Sequence, residues 1–396
     1  MHRLPYWRLS AYYFSYFAFI GVFSPYFGLY LQSLSLSAWD IGVVMSQMQL
    51  MRLFAPYLAG GLSDRLQKRI LIVRTSSAAA LVVFFAFLFS NTFLTVLTAM
   101  SVFSFCWAAA LPLVETLTFD HLRENPARYS RIRVWGSIGF VVAVLGTGAL
   151  LDRVAIASLV WIGLGSLLCI FASAAVVPDA EGHVSGTERR PVGQILRQPR
   201  VLALFVACFA AYAAHAALNI FYSILLSDHG YSKSAVGMLW TIGVIVEIGV
   251  FFFMPRLMRR FNLRVILLAS LGAAVVRFVM IGAAVDLPAI LVFAQLLHGL
   301  TFGSFHAAAI AAVNRWFPDS TRSRGQALYS SLSFGAGGLV GGLVSGWTWG
   351  SLGGEATFAL SSVYALIGFL LVARYVKKSD VSEQPATGVV HATPNR

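Results

Sequence analysis

Charge is scarce in this chain. Asp, Glu, Lys and Arg make up 11% of its 396 residues, where a soluble globular protein carries roughly 25%. With 58% hydrophobic residues, so few charges cannot wet a globular surface, which excludes a water-soluble enzyme and turns most of the surface towards lipid or other membrane helices. Cysteine is scarce too: Cys106, Cys169 and Cys208 each lie inside an apolar run, which leaves neither a disulfide framework nor paired-cysteine zinc spacing. No Gly-x-x-x-x-Gly-Lys loop cradles a phosphate, and no nucleophile, base and acid form a triad. No two histidines stand three or four residues apart, so no metal ligand set is expected, and no cofactor. Acidic residues number 16 against 29 Lys and Arg, for a net charge of +13. The basic residues form no patch or aromatic-interleaved strip, which argues against a nucleic-acid partner.

What is present is a series of apolar runs. A membrane helix needs about 20 mostly apolar residues to cross roughly 30 Å of hydrocarbon, and the runs predict spans over 10–32, 39–61, 70–90, 93–118, 131–151, 155–177, 200–226, 233–256, 263–284, 287–314, 324–348 and 353–376. The first has no small-residue cleavage site before it and reads as a span, not a signal peptide. With the N-terminus placed in the cytoplasm, only Arg153 and Lys233 fall outside, and Arg52 and Arg277 lie within spans. The remaining 25 of the 29 Lys and Arg then lie inside, which predicts both termini cytoplasmic in a multi-pass protein of the bacterial inner (plasma) membrane. The basicity is therefore topological. The expected organisation is an N-terminal six-helix bundle over 1–177, a cytoplasmic linker over 178–199, a C-terminal six-helix bundle over 200–378 and a disordered tail over 379–396.

An offset of 195 places Ser37 on Ser232, Gly42 on Gly237, Leu62 on Leu257, Arg65 on Arg260 and Arg69 on Arg264. The second span and its basic loop thus recur as the eighth, the mark of two parallel repeats. The segment Gly60, Leu62, Asp64, Arg65, Lys68 and Arg69 resembles the loop after the second helix in the major facilitator superfamily, with Gln67 where that motif has Gly. The resemblance implies an all-α membrane fold of twelve helices in two six-helix parallel repeats. It also implies that Asp64 caps or pairs with a neighbouring helix end while the basic residues hold a cytoplasmic gate, Gly60, Asp64, Arg65, Lys68 and Arg69 together forming it. Arg259 replaces the Asp in the second copy, so the gate is asymmetric.

A narrower resemblance rests on Arg131, Arg133, Trp135, Gly136, Ser137, Gly139 and Phe140, on 215–223, Glu247 and Arg277, and on 298–306. These segments look like the phenylpropionate permease group, a branch near the lactose permease. The implication is no enzyme but proton-linked, secondary active uptake of a small organic substrate by alternating access in a monomer, its partners being that substrate, protons and membrane lipid. A proton-driven exporter of drugs or metabolites and a sugar or nucleoside symporter remain alternatives.

Each ionisable group near mid-membrane costs about 2.5–3.5 kcal/mol on insertion scales and needs a partner or a task. Glu115 and Arg133 are equidistant from the turn between the fourth and fifth spans, so an antiparallel hairpin brings them to one depth. They either tie the two helices together or dock a substrate; the resemblance matches them to the lactose permease's sugar-binding Glu and Arg. Arg52 and Glu247 occupy equivalent repeat positions. Glu247 sits among Val246, Ile248 and Phe251, where desolvation disfavours the charged carboxylate and suits a proton carrier, with a static pair as the alternative. Arg277 and His298 match an Arg and a His of the lactose permease, whereas Thr301 stands where its tenth-helix acid would be, so that proton path does not carry over whole. His215, Asn219 and Tyr222 share one face of the seventh span, and His298 and His306 lie two turns apart on the tenth. Substrate binding is thus expected at Arg52, Glu115, Arg133, His215, Asn219 and Tyr222, and proton coupling at Glu247, Arg277, His298 and His306. Tyr12, Tyr16, Phe19, Phe23 and Phe27 recur at near-helical spacing, as core packing or as a wall for an aromatic substrate. Gly337, Gly338, Gly341, Gly342 and Gly346 make a small-residue seam on the eleventh span.

Overall fold

The computed structural model describes residues 4–66, 68–122, 128–180, 192–317, 321–377 and 380, and the regular structure of these residues is helical throughout. The long helices are α1 (Tyr6–Ser33), α2 (Ala38–Leu66), α3 (Arg69–Phe84, continued by a 3₁₀ turn over Phe85–Leu88), α4 (Phe93–Leu122), α5 (Tyr129–Leu151) and α6 (Ser158–Val176). They continue as α7 (Pro199–Asp228), α8 (Lys233–Arg260), α9 (Leu263–Ala283) and α10 (Pro288–Trp316). The last helical stretch, Arg322–Tyr375, breaks at Gly353, whose φ of 86° favours glycine, giving α11 (322–352) and α12 (354–375). Ten segments are long and apolar enough to cross a membrane. The tenth is α11 and α12 together, and α2 is not among them because Asp40, Gln47, Gln49, Arg52 and Asp64 dilute its apolarity. The bundle therefore has twelve spans.

Local chemistry starts these helices where the repeat says it should. Ser37 and Asp40 cap α2 reciprocally, the Ser37 N–H donating to Asp40 Oδ2 at 3.1 Å and the Asp40 N–H to Ser37 Oγ at 3.2 Å. The equivalent Ser232 caps α8, its Oγ accepting the Ala235 N–H at 3.1 Å. Five residues on, each half places a glycine against the other half. A Cβ on Gly42 would lie 2.8 Å from Gly346 Cα in α11, and one on Gly237 would lie 3.0 Å from Val144 O in α5.

The most enclosed spans are the first of each half: 67% of the apolar window of α1 is buried and 83% of that of α7, against 28–50% for the others. These two run through the middle while the rest show a face to lipid. α1 packs on α5 and α6, and α7 on α11 and α12; the halves meet through α2 with α11, α5 with α8, and α1 with α7. The glycine seam of α11 makes that approach possible. A Cβ on Gly341 would fall 2.5 Å from Ala213 Cα in α7, and one on Gly338 would fall 3.0 Å from Gln49 Cγ in α2.

The polar contacts between halves gather at the end away from the basic loops. There Gln32 Nε2 donates to Asp228 Oδ1 at 3.1 Å, and Tyr26 Oη, which also reaches Val144 O within its own half, lies 3.2 Å from Lys233 O across the halves. Asp152, just past α5, accepts the Lys233 and Ser234 backbone N–H groups at 2.7 and 3.1 Å and the Ser234 hydroxyl at 2.5 Å. At the basic end, a Cβ on Gly60 or Gly61 would meet nothing within 4 Å. In the linker expected over 178–199, Gly193–Leu196 form a short helix and 181–191 lie outside the described residues. Asp380, in the expected tail, pairs with Arg200 at 2.8 Å; 381–396 lie outside the described residues.

Candidate functional site

The ionisable groups of the spans fall into two clusters, one in each half. In the first half, α5 carries Arg133 with its guanidinium 3.8 Å above the Phe17 ring and 6.0 Å from the Tyr13 ring. Glu115, on α4, accepts a hydrogen bond from Tyr129 Oη at 3.4 Å. Glu115 and Arg133 feel each other's charge, but no direct ion pair joins these two described residues. Tyr129 and Phe17 fill the places each would have offered the other. Tyr16 lies in the field of Arg52, Glu115 and Arg133 alike. Arg52 itself is exposed and donates to Gln49 Oε1 at 3.2 Å.

The other rings of α1 are core. Tyr12, Phe19, Phe23 and Phe27 are buried; Phe19 packs on Phe84, Phe103 and Trp107, and Phe27 on Phe84 and Phe87. Tyr16 joins both environments, stacking on Trp107 with centroids 4.1 Å apart.

In the second half, Glu247 of α8 meets His298 of α10, with 3.5 Å from Oε2 to Nε2 and side chains 20% and 15% exposed. The pair is thus not sealed in the core. It sits at a π-helical stretch over Gly299–Ser304, a widening of the helix that is frequent at functional sites. A Cβ on Gly299 would lie 2.9 Å from Val246 Cγ1, so the absence of a side chain there lets α10 come close enough for the contact. Along α10, the His298, Phe302 and His306 rings stack in a ladder, with centroids 5.5 and 6.4 Å apart and interplanar angles of 13° and 15°. At its end His306 Nδ1 hydrogen-bonds the Tyr329 hydroxyl at 2.7 Å and the Tyr212 hydroxyl at 3.3 Å. Glu247 lies in the field of His306 and, from the other half, of Arg133.

Arg277 lies behind this pair, fully buried on α9. Its guanidinium donates to Ala294 O at 2.9 Å, Thr301 Oγ1 at 3.2 Å and Gln295 Oε1 at 3.2 Å; among the described residues no carboxylate pairs with it. His215 Nδ1 donates to Ala211 O at 2.7 Å, which fixes the tautomer of the neutral ring and leaves Nε2 as its acceptor. His215 Nε2, Tyr222 Oη, Gln295 Nε2 and His298 Nδ1 are buried with no hydrogen-bond partner among the described residues. Of the three residues read as one face of α7, His215 and Tyr222 are buried against α8, α9 and α10, and Asn219 is exposed. Among the described residues no group of three His, Cys, Asp or Glu is placed to hold a metal ion.

The gate residues behave differently from one another. Arg69 forms an ion pair with Asp120 of α4, which ties α3 to α4 within one half. Arg65 and Lys68 are exposed; the Asp64 side chain and Gln67 lie outside the described residues.

The residues that composition and spacing did not single out are Phe17, Tyr129, Phe302, Tyr212 and Tyr329. Two signals pointed to some of them: Tyr129 stands one turn before Arg133, and Phe302 stands four residues from each histidine. The tyrosines at His306 come from distant helices and gave no local sign.

The chain is 28% identical over 365 residues to the "Probable 3-phenylpropionic acid transporter" of Escherichia coli (strain K12), covering 91% of this chain and 95% of that one. It is 29% identical over 378 residues to the "Maltose permease" of Geobacillus stearothermophilus, covering 93% of each. Its fold matches the crystal structure of nucleoside transporter NupG with a TM-score of 0.84 at 18% identity, covering 94% of this chain and 99% of that one. Residues 6–360 match the family model described as "MFS_1 like family". With its twelve spans in two six-helix repeats and its relatives membrane transporters, the chain belongs to the MFS_1-like family of the major facilitator superfamily and is a secondary transporter, not an enzyme.

Proposed function

We propose that this protein takes up a small aromatic carboxylate, of the 3-phenylpropionate kind, together with protons by alternating access in a bacterial inner membrane, as a monomer with both termini in the cytoplasm. The observation that carries this reading is an arginine in one half, Arg133, whose N–H donors have no hydrogen-bond acceptor among the described residues, together with the Glu247–His298 contact in the other half. An arginine laid on a ring keeps its planar fork in place for a carboxylate, and the half-buried Phe17 offers apolar surface beside it. A half-buried carboxylate 3.5 Å from a histidine is suited to carry the coupled proton. Glu115, Arg52 and Asn219 complete the binding side. His215 and Tyr222, with unpartnered polar atoms, are the groups a substrate's polar end would satisfy from the second half, and Arg277 and His306 hold the ends of the proton-bearing cluster. The gate of Gly60, Asp64, Arg65, Lys68 and Arg69 stands at the open, basic end. Contacts between halves at the opposite end correspond to an inward-facing state, in which six helices over 1–177 and six over 200–378 rock about the site, joined by a linker over 178–199 and followed by a tail over 379–396.

The test is ligand-induced thermal stabilisation of the purified protein across 3-phenylpropionate, cinnamate, maltose and uridine. Stabilisation by the two acids alone supports the reading. A shift with maltose or uridine and none with the acids replaces it by sugar or nucleoside symport, consistent with the names of other relatives.

A further inference from the structure

The lipid-facing side of α8 carries an unassigned groove. Gly249, Val250, Phe253, Arg256, Arg260 and Phe261 line an open space of about 510 Å³, far larger than the roughly 30 Å³ share of a water molecule. At 100° per residue, positions 249, 253, 256 and 260 lie roughly 120–180° around the helix from Glu247, so these four face away from the transport site, whereas Val246 and Val250, at the edge of the groove, pack against Gly299 of α10. The upper part of the groove is apolar, and its lower part is cationic. Gly249 makes the notch, since a Cβ there would meet nothing within 4 Å, and Phe253, 57% exposed, forms one wall.

The two arginines differ from others at the same end of the bundle. Arg69 and Arg200 hold carboxylates of Asp120 and Asp380; Arg74 donates to Ala174 O and Val177 O at the end of α6, and Arg264 to Ala373 O near the end of α12. Arg256 and Arg260 have no carboxylate partner among the described residues. Their guanidinium groups lie 5.8 Å from the Phe253 ring and 5.7 Å from the Phe261 ring, which keeps both heads beside the groove. Spaced four residues apart, they present two cations on one helix face. A negative group attached to an apolar chain satisfies both parts of this surface.

We infer that this groove binds one anionic phospholipid of the inner leaflet, with its phosphate between Arg256 and Arg260 and an acyl chain along Gly249 and Phe253. Two fixed positive charges favour a headgroup with net negative charge over a zwitterionic one, whose ammonium they repel. The apolar notch separates a lipid from free phosphate, which has nothing to place there.

The experiment counts lipids retained by the purified full-length protein after extensive delipidation, by native mass spectrometry, following reconstitution in nanodiscs of phosphatidylglycerol and phosphatidylethanolamine at equal proportions. Wild type should keep one phosphatidylglycerol, which millimolar inorganic phosphate does not displace. R256Q/R260Q and Gly249→Phe should each retain at least tenfold less, the second with every charge in place. Gly165→Phe serves as control, because a Cβ at Gly165 also meets nothing within 4 Å; it should retain lipid as wild type does. Equal retention of phosphatidylethanolamine, displacement by phosphate, an undiminished signal in R256Q/R260Q or in Gly249→Phe, or equal loss in Gly165→Phe would each overturn the site. If Gly249→Phe does not fold, the arginine pair and the two lipid classes still decide.

Discussion

Arg133 shows how a single residue's surroundings alter what its sequence position suggests. Equidistance from the turn put Glu115 and Arg133 at one depth, and their mutual field agrees with that, but depth does not fix the angle at which a side chain leaves its helix. Tyr129 takes up the carboxylate and Phe17 the guanidinium, so the arginine's donors are not consumed by an internal ion pair. Arg133→Lys keeps the charge but loses the planar fork and its ring contact. Losing one charge-assisted hydrogen bond costs about 1.5–3 kcal/mol, so substrate affinity should fall roughly ten- to hundredfold. Isothermal titration with the stabilising ligand reads this, and wild-type affinity would remove Arg133 from the binding side. Glu247 and His298 were each legible as ionisable groups in apolar spans; their meeting depends on Gly299 and the π-helical turn, which no propensity announces. Glu247→Gln keeps the shape and removes the titrating group. Counterflow exchange of labelled substrate should persist while accumulation against a gradient is lost; a Gln variant that still concentrates substrate would shift the proton to His298 or His215.

At the scale of elements, hydropathy located every span because burial in lipid is what it measures. It stopped short at the basic ends: the second span read to 61 runs on to Leu66, the fourth read to 118 to Leu122, and the eighth read to 256 to Arg260. Backbone hydrogen bonds continue a helix into water, where charged residues are no penalty. The break at Gly353 was read as a gap of a few residues, whereas the backbone turns there through one glycine with positive φ. Closure of the far end is also an element-scale property, made by Asp152 capping the start of α8 across the halves. Burial alone would raise the Asp152 pKa; hydrogen bonds from the Ser234 hydroxyl and backbone, from the Lys233 backbone, and the Lys233 charge outweigh it and hold the carboxyl below the usual range. A lowered pKa means the contact favours the closed end fully above the ordinary carboxylate range and fades as pH falls through the lowered value. Asp152→Asn should therefore open the far end at neutral pH, as wild type would only in acid. Spin labels at Arg153 and His229 would read the change as a longer distance distribution in the variant, and identical distributions at neutral pH would show that Asp152 does not hold the halves together.

For the whole molecule, the repeat was readable in Ser37 and Ser232 and in Gly42 and Gly237, which cap and pack equivalent helices. Which end of the bundle is closed was not readable, because one sequence must support both closures and their difference is a few contacts such as those of Asp152 and Gln32. The transport cycle follows from the charge the whole assembly moves. A monoanion entering alone against an inside-negative potential is opposed by about 2.3 kcal/mol per 100 mV. If, as proposed, one proton on the Glu247–His298 pair accompanies each carboxylate at Arg133, the translocated complex is electroneutral, so the potential drops out and the pH gradient remains as the drive. In proteoliposomes, uptake of labelled 3-phenylpropionate should follow an imposed inward proton gradient and leave a pure potassium-diffusion potential without effect. Uptake driven by the potential alone would require more than one proton for each substrate, and a second titrating group beside Glu247, with His306 at the far end of the ring ladder in the right field to supply it.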